Sequence, residues 1–199
     1  MKKNLMISIW MTLVTTVLLG IVYPLVVTGL AQVLFPRQAN GSLIQAGEKT
    51  IGSRLIGQPF STPAYFHSRP SAAGPAGYDS SSSSASNLAP TNKALLDRVN
   101  GDVETLHREN PNAAIPIDLV TTSGSGLDPD ISPAAAEFQI PRVARERGID
   151  ENQLRELVKN HTQARQWGFL GEPRVNVLEL KLELDAVHPM KPQTAANLK

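Results

Sequence analysis

The chain has 199 residues with 19 Lys+Arg against 18 Asp+Glu, a formal net charge of +1, and no cysteine. Near-neutrality gives no electrostatic footprint for nucleic acid, and the missing thiols exclude disulfides and thiolate metal sites. An apolar content of 41% would be unremarkable if it were spread evenly, but it is not.

After Met1-Lys2-Lys3, an uncharged stretch from Asn4 to Pro36 is dominated by Leu, Ile, Val, Met and Trp. A helix rising about 1.5 Å per residue needs roughly 20 apolar residues to cross a hydrocarbon core of about 30 Å. Residues 1–36 therefore read as a transmembrane anchor with its core at about 5–27. Lys2 and Lys3 precede the span and only Arg37 closely follows it, so the positive-inside tendency keeps the N-terminus cytoplasmic and exports the rest. Gly29-Leu30-Ala31 offers a signal-peptidase-like triplet, but the apolar run exceeds a secretory h-region and continues through Val33-Leu34-Phe35. Pro24 should free a helix carbonyl and bend the span, with the Thr28 hydroxyl as a candidate partner for the freed group. Thr16 and Gly20 form a small-xxx-small pair that suits close approach of another helix.

About 160 residues remain, enough for one domain with its own core. Residues 37–50 read as a stalk, and 51–199 as an extracytoplasmic α/β domain. Within it, Ile51–Phe60 suits a short strand or turn, and the Ser/Pro/Gly-rich stretch 61–90 reads as a flexible loop. Thr91 to Asn110 predicts a helix with Leu95, Leu96, Val99, Val103 and Leu106 at helical spacing and Thr91 or Asn92 as its cap. Ile115–Thr121 alternates and predicts a strand, followed by a long turn to Asp130. Ser132 caps a helix with Pro133 in its first turn and Gly148 at its end, and Pro141 should bend or split it. Asp150 caps another helix with Leu154, Leu157 and Val158 inward. Leu178, Leu180, Leu182 and Leu184 alternate with charged residues and predict a half-buried strand, with a helix capped by Asn176 as competitor. The fold class is a mixed α/β soluble domain attached to a single N-terminal transmembrane helix.

The chemistry is mostly negative. No Gly-x4-Gly-Lys-Ser/Thr phosphate loop, no Asp-Lys-Thr-Gly phosphorylation motif and no Gly-x-Ser-x-Gly elbow occurs. Ser123-Gly124-Ser125-Gly126 is glycine-rich but lacks a lysine. The four histidines have no metal-ligand spacing, and Asp128 and Asp130 read as turn residues before a helix rather than a cation site. Arg142, Arg145 and Arg147 with Glu146 read mainly as a solvated helix face, with Arg142 and Gln139 available to a partner surface. One helix encloses no polar path, so the chain is not a transporter alone. An accessory subunit, an anchored binding module or scaffold, and an anchored periplasmic enzyme remain.

Six motifs then occur in order: Gly52-Ser53-Arg54-Leu55-Ile56-Gly57-Gln58, Tyr65 to Ala72 (Tyr-Phe-His-Ser-Arg-Pro-Ser-Ala), Ser86-Asn87-Leu88-Ala89-Pro90-Thr91-Asn92, Asp118 to Pro129, Gln139 with Arg142-Val143-Ala144, and Val175 to Leu180. With the N-terminal span, they make the chain closely resemble the KdpC family, the C subunit of the bacterial potassium-transporting P-type ATPase, over nearly its whole length. The resemblance implies a non-catalytic, single-pass subunit of the bacterial inner membrane. Its partners would be a potassium-translocating A subunit, an ATP-hydrolysing B subunit and a small F subunit. It also implies a role in assembly and as a catalytic chaperone raising the ATP affinity of the B subunit, with no tightly bound cofactor and ATP engaged via that subunit. Candidate nucleotide contacts are Ser83, Ser84, Ser86 and Asn87. Candidate partner or structural positions are Gly20, Pro24, Arg69, Asn87, Asn92, Ser125, Asp128, Gln139, Arg142 and Asn176. Ala85 and Ala89 stand where the family commonly has glycine, and Asp130 where it often has His or Asn, which weakens any nucleotide contact resting on a glycine-rich turn.

An exported domain cannot meet cytoplasmic ATP, so an effect on ATP affinity would travel through the helices or the pump's conformational equilibrium. The exported domain is then expected to cap the external potassium entrance of the A subunit.

Overall fold

The computed structural model describes residues 1–190, and its residues group into two units, Met1–Ser53 and Arg54 onward. Residues 191–199, the end of the expected α/β domain, lie outside the described residues.

In the first unit, α1 (Lys2–Val17), a π-helical segment (Leu18–Val22) and α2 (Tyr23–Leu34) form one helix of 33 residues, within which an 18-residue window reaches a mean hydropathy of 2.3. At about 1.5 Å per residue it is roughly 50 Å long, more than the hydrocarbon core requires. The effect of Pro24 takes a specific form. Proline has no N–H for the Gly20 carbonyl and its ring crowds that oxygen. The backbone widens to i→i+5 pairing just ahead of it, and the Tyr23 N–H bonds to the Leu18 carbonyl. The freed group is thus eight residues before Thr28, and the expected role for that hydroxyl does not hold. Ser8, Thr12 and Thr15 return their hydroxyls to carbonyls of their own helix at 2.7–3.0 Å, so none is left bare to lipid. Thr16 and Gly20 do share a face: a Cβ on Gly20 would lie 4.0 Å from the Thr16 methyl.

The segment read as a stalk carries local structure. α3 (Pro36–Ala39) is a single turn, and β1 (Leu43–Ala46) pairs antiparallel with β2 (Lys49–Ser53). The two-residue turn between them places Gly47 at φ 61°, which suits the twist of a tight hairpin. The Ser53 hydroxyl closes the base on the Gly41 carbonyl at 2.7 Å.

The second unit contains α4 (Lys93–Glu109), α5 (Pro133–Arg147), α6 (Glu151–Asn160) and α7 (Val177–Val187), with β3 (Asp130–Ile131), β4 (Thr162–Gln163) and β5 (Arg174–Asn176) in an antiparallel sheet of order β3-β5-β4. Each helix starts on a side-chain cap: Asn92, Ser132, Asp150 and Asn176 accept from the N–H groups of Ala94, Ala135, Asn152 and Glu179. Gly148 ends α5 in the left-handed region. α5 is central. Its Ala135, Ala136, Ile140 and Val143 are fully buried in a core completed by Phe66, Ile131, Leu154, Val175, Val177, Leu180 and Leu184.

Two strand expectations fail here, the second in favour of the competing helix capped by Asn176, and of the two effects expected of Pro141 the split is excluded. The segment Ile115–Thr121 is not a strand: Ile117–Leu119 forms a 3-10 turn. The Asp118 carboxylate accepts from both the N–H (2.7 Å) and the hydroxyl (3.0 Å) of Ser132, which bends the chain against alternation. Leu178–Leu184 is helical, because the Asn176 cap starts a turn in which Val177, Leu180 and Leu184 share a buried stripe at i, i+3 and i+7. Pro141 does not split α5. Glu137, whose carbonyl loses its donor, is exposed to water, while the residues beside the proline are held in the core.

Stretch 61–90 has no helix or strand, as its composition suggests, yet it is not a free loop. Phe66 and Ala73 are buried, and hydrogen bonds fasten the segment along its length.

Candidate functional site

The polar centre of the second unit lies on α5. Gln139 and Arg142 are 1% and 6% exposed, so they form neither a solvated face nor a surface for partners; Arg145 alone of the three arginines lies largely in water. Gln139 clamps one residue of the irregular stretch from both sides. Its Oε1 accepts the His67 N–H at 2.7 Å, and its Nε2 donates to the His67 carbonyl at 3.1 Å. Arg142 pairs with Glu109 at 2.7 Å, donates to Gln139 Oε1 at 2.6 Å and holds the carbonyls of Pro63 and Tyr65, the latter at 2.8 Å. A guanidinium has five donors and no acceptor, which suits a site made of carbonyls and a carboxylate. Burial, reinforced by the nearby Arg142 charge, pushes the His67 imidazole below its ordinary pKa, so the ring is neutral at pH 7.

One turn further on, Arg147 donates to the Ala64 and His188 carbonyls, pairs with Asp185 at 2.6 Å and covers the Tyr65 ring at 4.5 Å. Tyr65 and Lys181 donate to the same Asp185 carboxylate. Burial alone would raise this carboxyl, but hydrogen bonds from Arg147, Lys181 and Tyr65 together hold it below the usual carboxylate range. A depressed folded-state pKa stabilises the fold above the unfolded value, about 3.9, and that contribution is lost as pH falls through the folded value. Urea midpoints should therefore separate wild type from Asp185→Asn at pH 7 and converge in the most acidic buffers; a separation independent of pH would reject the assignment.

A second set of contacts joins 69–84 to the turn 122–130. Arg69 pairs with Asp128 at 2.9 Å, and Asp128 also accepts the Asp130 N–H, closing a turn of its own. The Ser71 hydroxyl donates to the Gly126 carbonyl at 2.5 Å and accepts from the Tyr78 N–H. Ser125 caps the Leu127 N–H, and its carbonyl receives the Ser83 hydroxyl at 3.0 Å. Asn176 reaches Asp130 and the Arg54 carbonyl. Burial raises the Asp130 carboxyl, partly offset by Arg174.

The sequence-predicted residues thus divide. Arg69, Ser125, Asp128, Gln139, Arg142 and Asn176 are joined in two internal networks. Asn92 is a helix cap, and Gly20 and Pro24 sit at and just beyond the π segment. Of the four nucleotide candidates, Ser83 and Ser84 give their hydroxyls to the Ser125 and Ala72 carbonyls, and Asn87 supplies a left-handed residue at φ 52°. Arg69, Asp128, Asp130 and Arg174 line a cleft of ≈ 490 Å³, with charges already paired across it. Among the described residues, no group of three or more metal-ligating side chains converges. Sequence reasoning missed Glu109 and Asp185, placed Arg147 on a wet face and gave Tyr65 no role, because the contacts Arg142–Glu109, Tyr65–Asp185 and Arg147–Asp185 span 33 or more residues. It also missed Trp167 and Phe169, both strongly exposed.

These features define a helix-bearing membrane protein whose second unit is a mixed helix-and-sheet domain secured by buried arginines. The family profile described as "K+-transporting ATPase, c chain" matches residues 5–186, and the chain belongs to this KdpC family. It is 64% identical over 190 residues to the potassium-transporting ATPase KdpC subunit of Koribacter versatilis, covering 96% of this chain and 98% of the relative. The same-named subunit of Rhodopseudomonas palustris BisB18 is 56% identical over 197 residues (94% and 99%), and that of Caulobacter vibrioides NA1000 59% over 175 (87% and 88%).

Proposed function

We propose that this chain is a non-catalytic accessory subunit of an ATP-driven potassium uptake complex. Its helix docks and helps to assemble the complex, and its α/β domain stands on the extracytoplasmic side over the potassium entrance of the channel-like subunit. The observation that carries this reading is a family match that spans helix and domain together, with relatives of nearly the same length that bear the subunit's name. Partners are the potassium-translocating A, ATP-hydrolysing B and small F subunits. The domain raises the ATP affinity of the B subunit by biasing the pump's conformational equilibrium, because a coupling free energy of about 1–3 kcal/mol suffices for an effect between distant sites. Engagement of the Ser83 and Ser84 hydroxyls by backbone carbonyls favours this indirect route over direct nucleotide contact.

Solubilised membranes should yield the ATPase subunits with the tagged chain. Truncation before Arg54 should change the potassium dependence of ATP hydrolysis or prevent assembly; unchanged kinetics in an intact complex would reject the capping role. Photolabelling of residues 80–92 by an ATP analogue would overturn the indirect route, and a reporter fused at the C-terminus tests the orientation.

A further inference from the structure

Nine consecutive residues, 164–172, are all exposed, so the chain between β4 and β5 projects from the domain. Reciprocal hydrogen bonds of 2.9 Å between Gln166 and Leu170 close its end into a tight turn. At that end Trp167 is 85% and Phe169 68% exposed, with ring centroids 6.5 Å apart. Trp167 has φ 51°, followed by Gly168 at 82°. A bulky residue in the left-handed region costs about 1–2 kcal/mol, and this one makes no compensating burial within the domain. The core is filled without these rings, so the strained presentation of two aromatics is not explained by folding.

We propose that this aromatic tip is an interfacial membrane anchor, inserting the Trp167 and Phe169 rings among lipid headgroups. Indole and phenyl rings favour the bilayer interface, where a polar N–H and an apolar ring are both accommodated. The cations nearest in the chain are already engaged, Arg165 by Glu172 at 2.5 Å and Arg174 by Asp130 at 3.3 Å, so the two rings rather than charge would carry the insertion. Size points the same way. Two rings supply about 300–500 Å² of contact, below the ≈ 800 Å² per partner of a stable protein interface. For insertion that is enough, because the segment 35–53 already ties the domain to a span-length helix and the bilayer is met at high effective concentration. The tip would restrict the domain's motion at the surface, whichever side of the membrane it occupies.

The test uses the full chain with Trp10→Phe, which leaves Trp167 as the only indole, reconstituted in phosphatidylethanolamine–phosphatidylglycerol vesicles. Expected are a blue-shifted Trp167 emission, quenching by lipids brominated near the headgroup, loss of acrylamide quenching, and reversal of all three by Phe169→Ser on the exposed turn. Full acrylamide access without quenching by brominated lipid would overturn the proposal. Protection that arises only in the assembled ATPase, again without brominated-lipid quenching, would overturn it in favour of a protein pocket. If Trp10→Phe impairs insertion, the difference between the natural chain and Trp167→Phe reads the same indole.

Discussion

Replacing Arg142 by alanine is expected to lower the unfolding free energy by about 3–5 kcal/mol, because it leaves a buried network without its only cation. Glu109, whose side chain is 14% exposed, loses its ion pair, and the part-buried carbonyls of Pro63 and Tyr65 lose their donor. Removing one partner is worse than removing both, since an unpaired group keeps its desolvation cost. The double variant Arg142→Met with Glu109→Gln should therefore cost less than Arg142→Ala alone, with methionine retaining much of the volume. Arg145→Ala, on an exposed side chain of the same helix, should change stability by no more than about 0.5 kcal/mol. Urea unfolding of the full chain in detergent, followed by circular dichroism, measures all three. Equal effects of Arg142→Ala and Arg145→Ala would mean that the segment 63–67 does not depend on this staple.

The same contrast explains what could be read before the fold was known. Helix ends were legible because caps act over two or three residues: Asn92, Ser132, Asp150 and Asn176 each bind an amide close by in the chain. The sheet was not, since β3, β4 and β5 contain only two or three residues and cannot show a period. Alternation at Leu178–Leu184 was misleading because leucine at every second position also supplies a helical stripe once a cap has set the first turn. The buried arginines were illegible for a different reason. Charge on a helix usually marks its wet face, and only contacts as distant as Arg142 to Tyr65 or Arg147 to Ala64 turn that face inward. Trp167 gave no signal either, because an aromatic residue is by default assigned to the core.

Gly126→Ala is the second substitution with a large expected effect, and a series of three glycines separates its causes. A Cβ at position 126 would stand 2.6 Å from the Ser84 carbonyl oxygen, 2.7 Å from the Ala73 amide nitrogen and 2.9 Å from the Ala73 Cβ, at a backbone φ of +66°. Two of these neighbours are backbone in segments fixed by the Ser71 and Ser84 hydrogen bonds, so neither can swing aside. Gly148 has nearly the same φ, +65°, but open space, and Gly124 has open space without the left-handed backbone. Alanine should therefore cost within about 0.5 kcal/mol at 124, about 1 kcal/mol at 148 from strain alone, and about 3 kcal/mol or more at 126, where strain adds to overpacking. Hydrogen exchange gives the local readout: amides 71–84 should lose protection in Gly126→Ala and keep it in Gly148→Ala. Equal costs at 126 and 148 would show that the serine-rich segment does not lie against the Gly126 turn. The unequal result would mean that glycine is required at 126 by the packing of two chain segments, and that the Ser-Gly-Ser-Gly sequence serves their close approach rather than a phosphate.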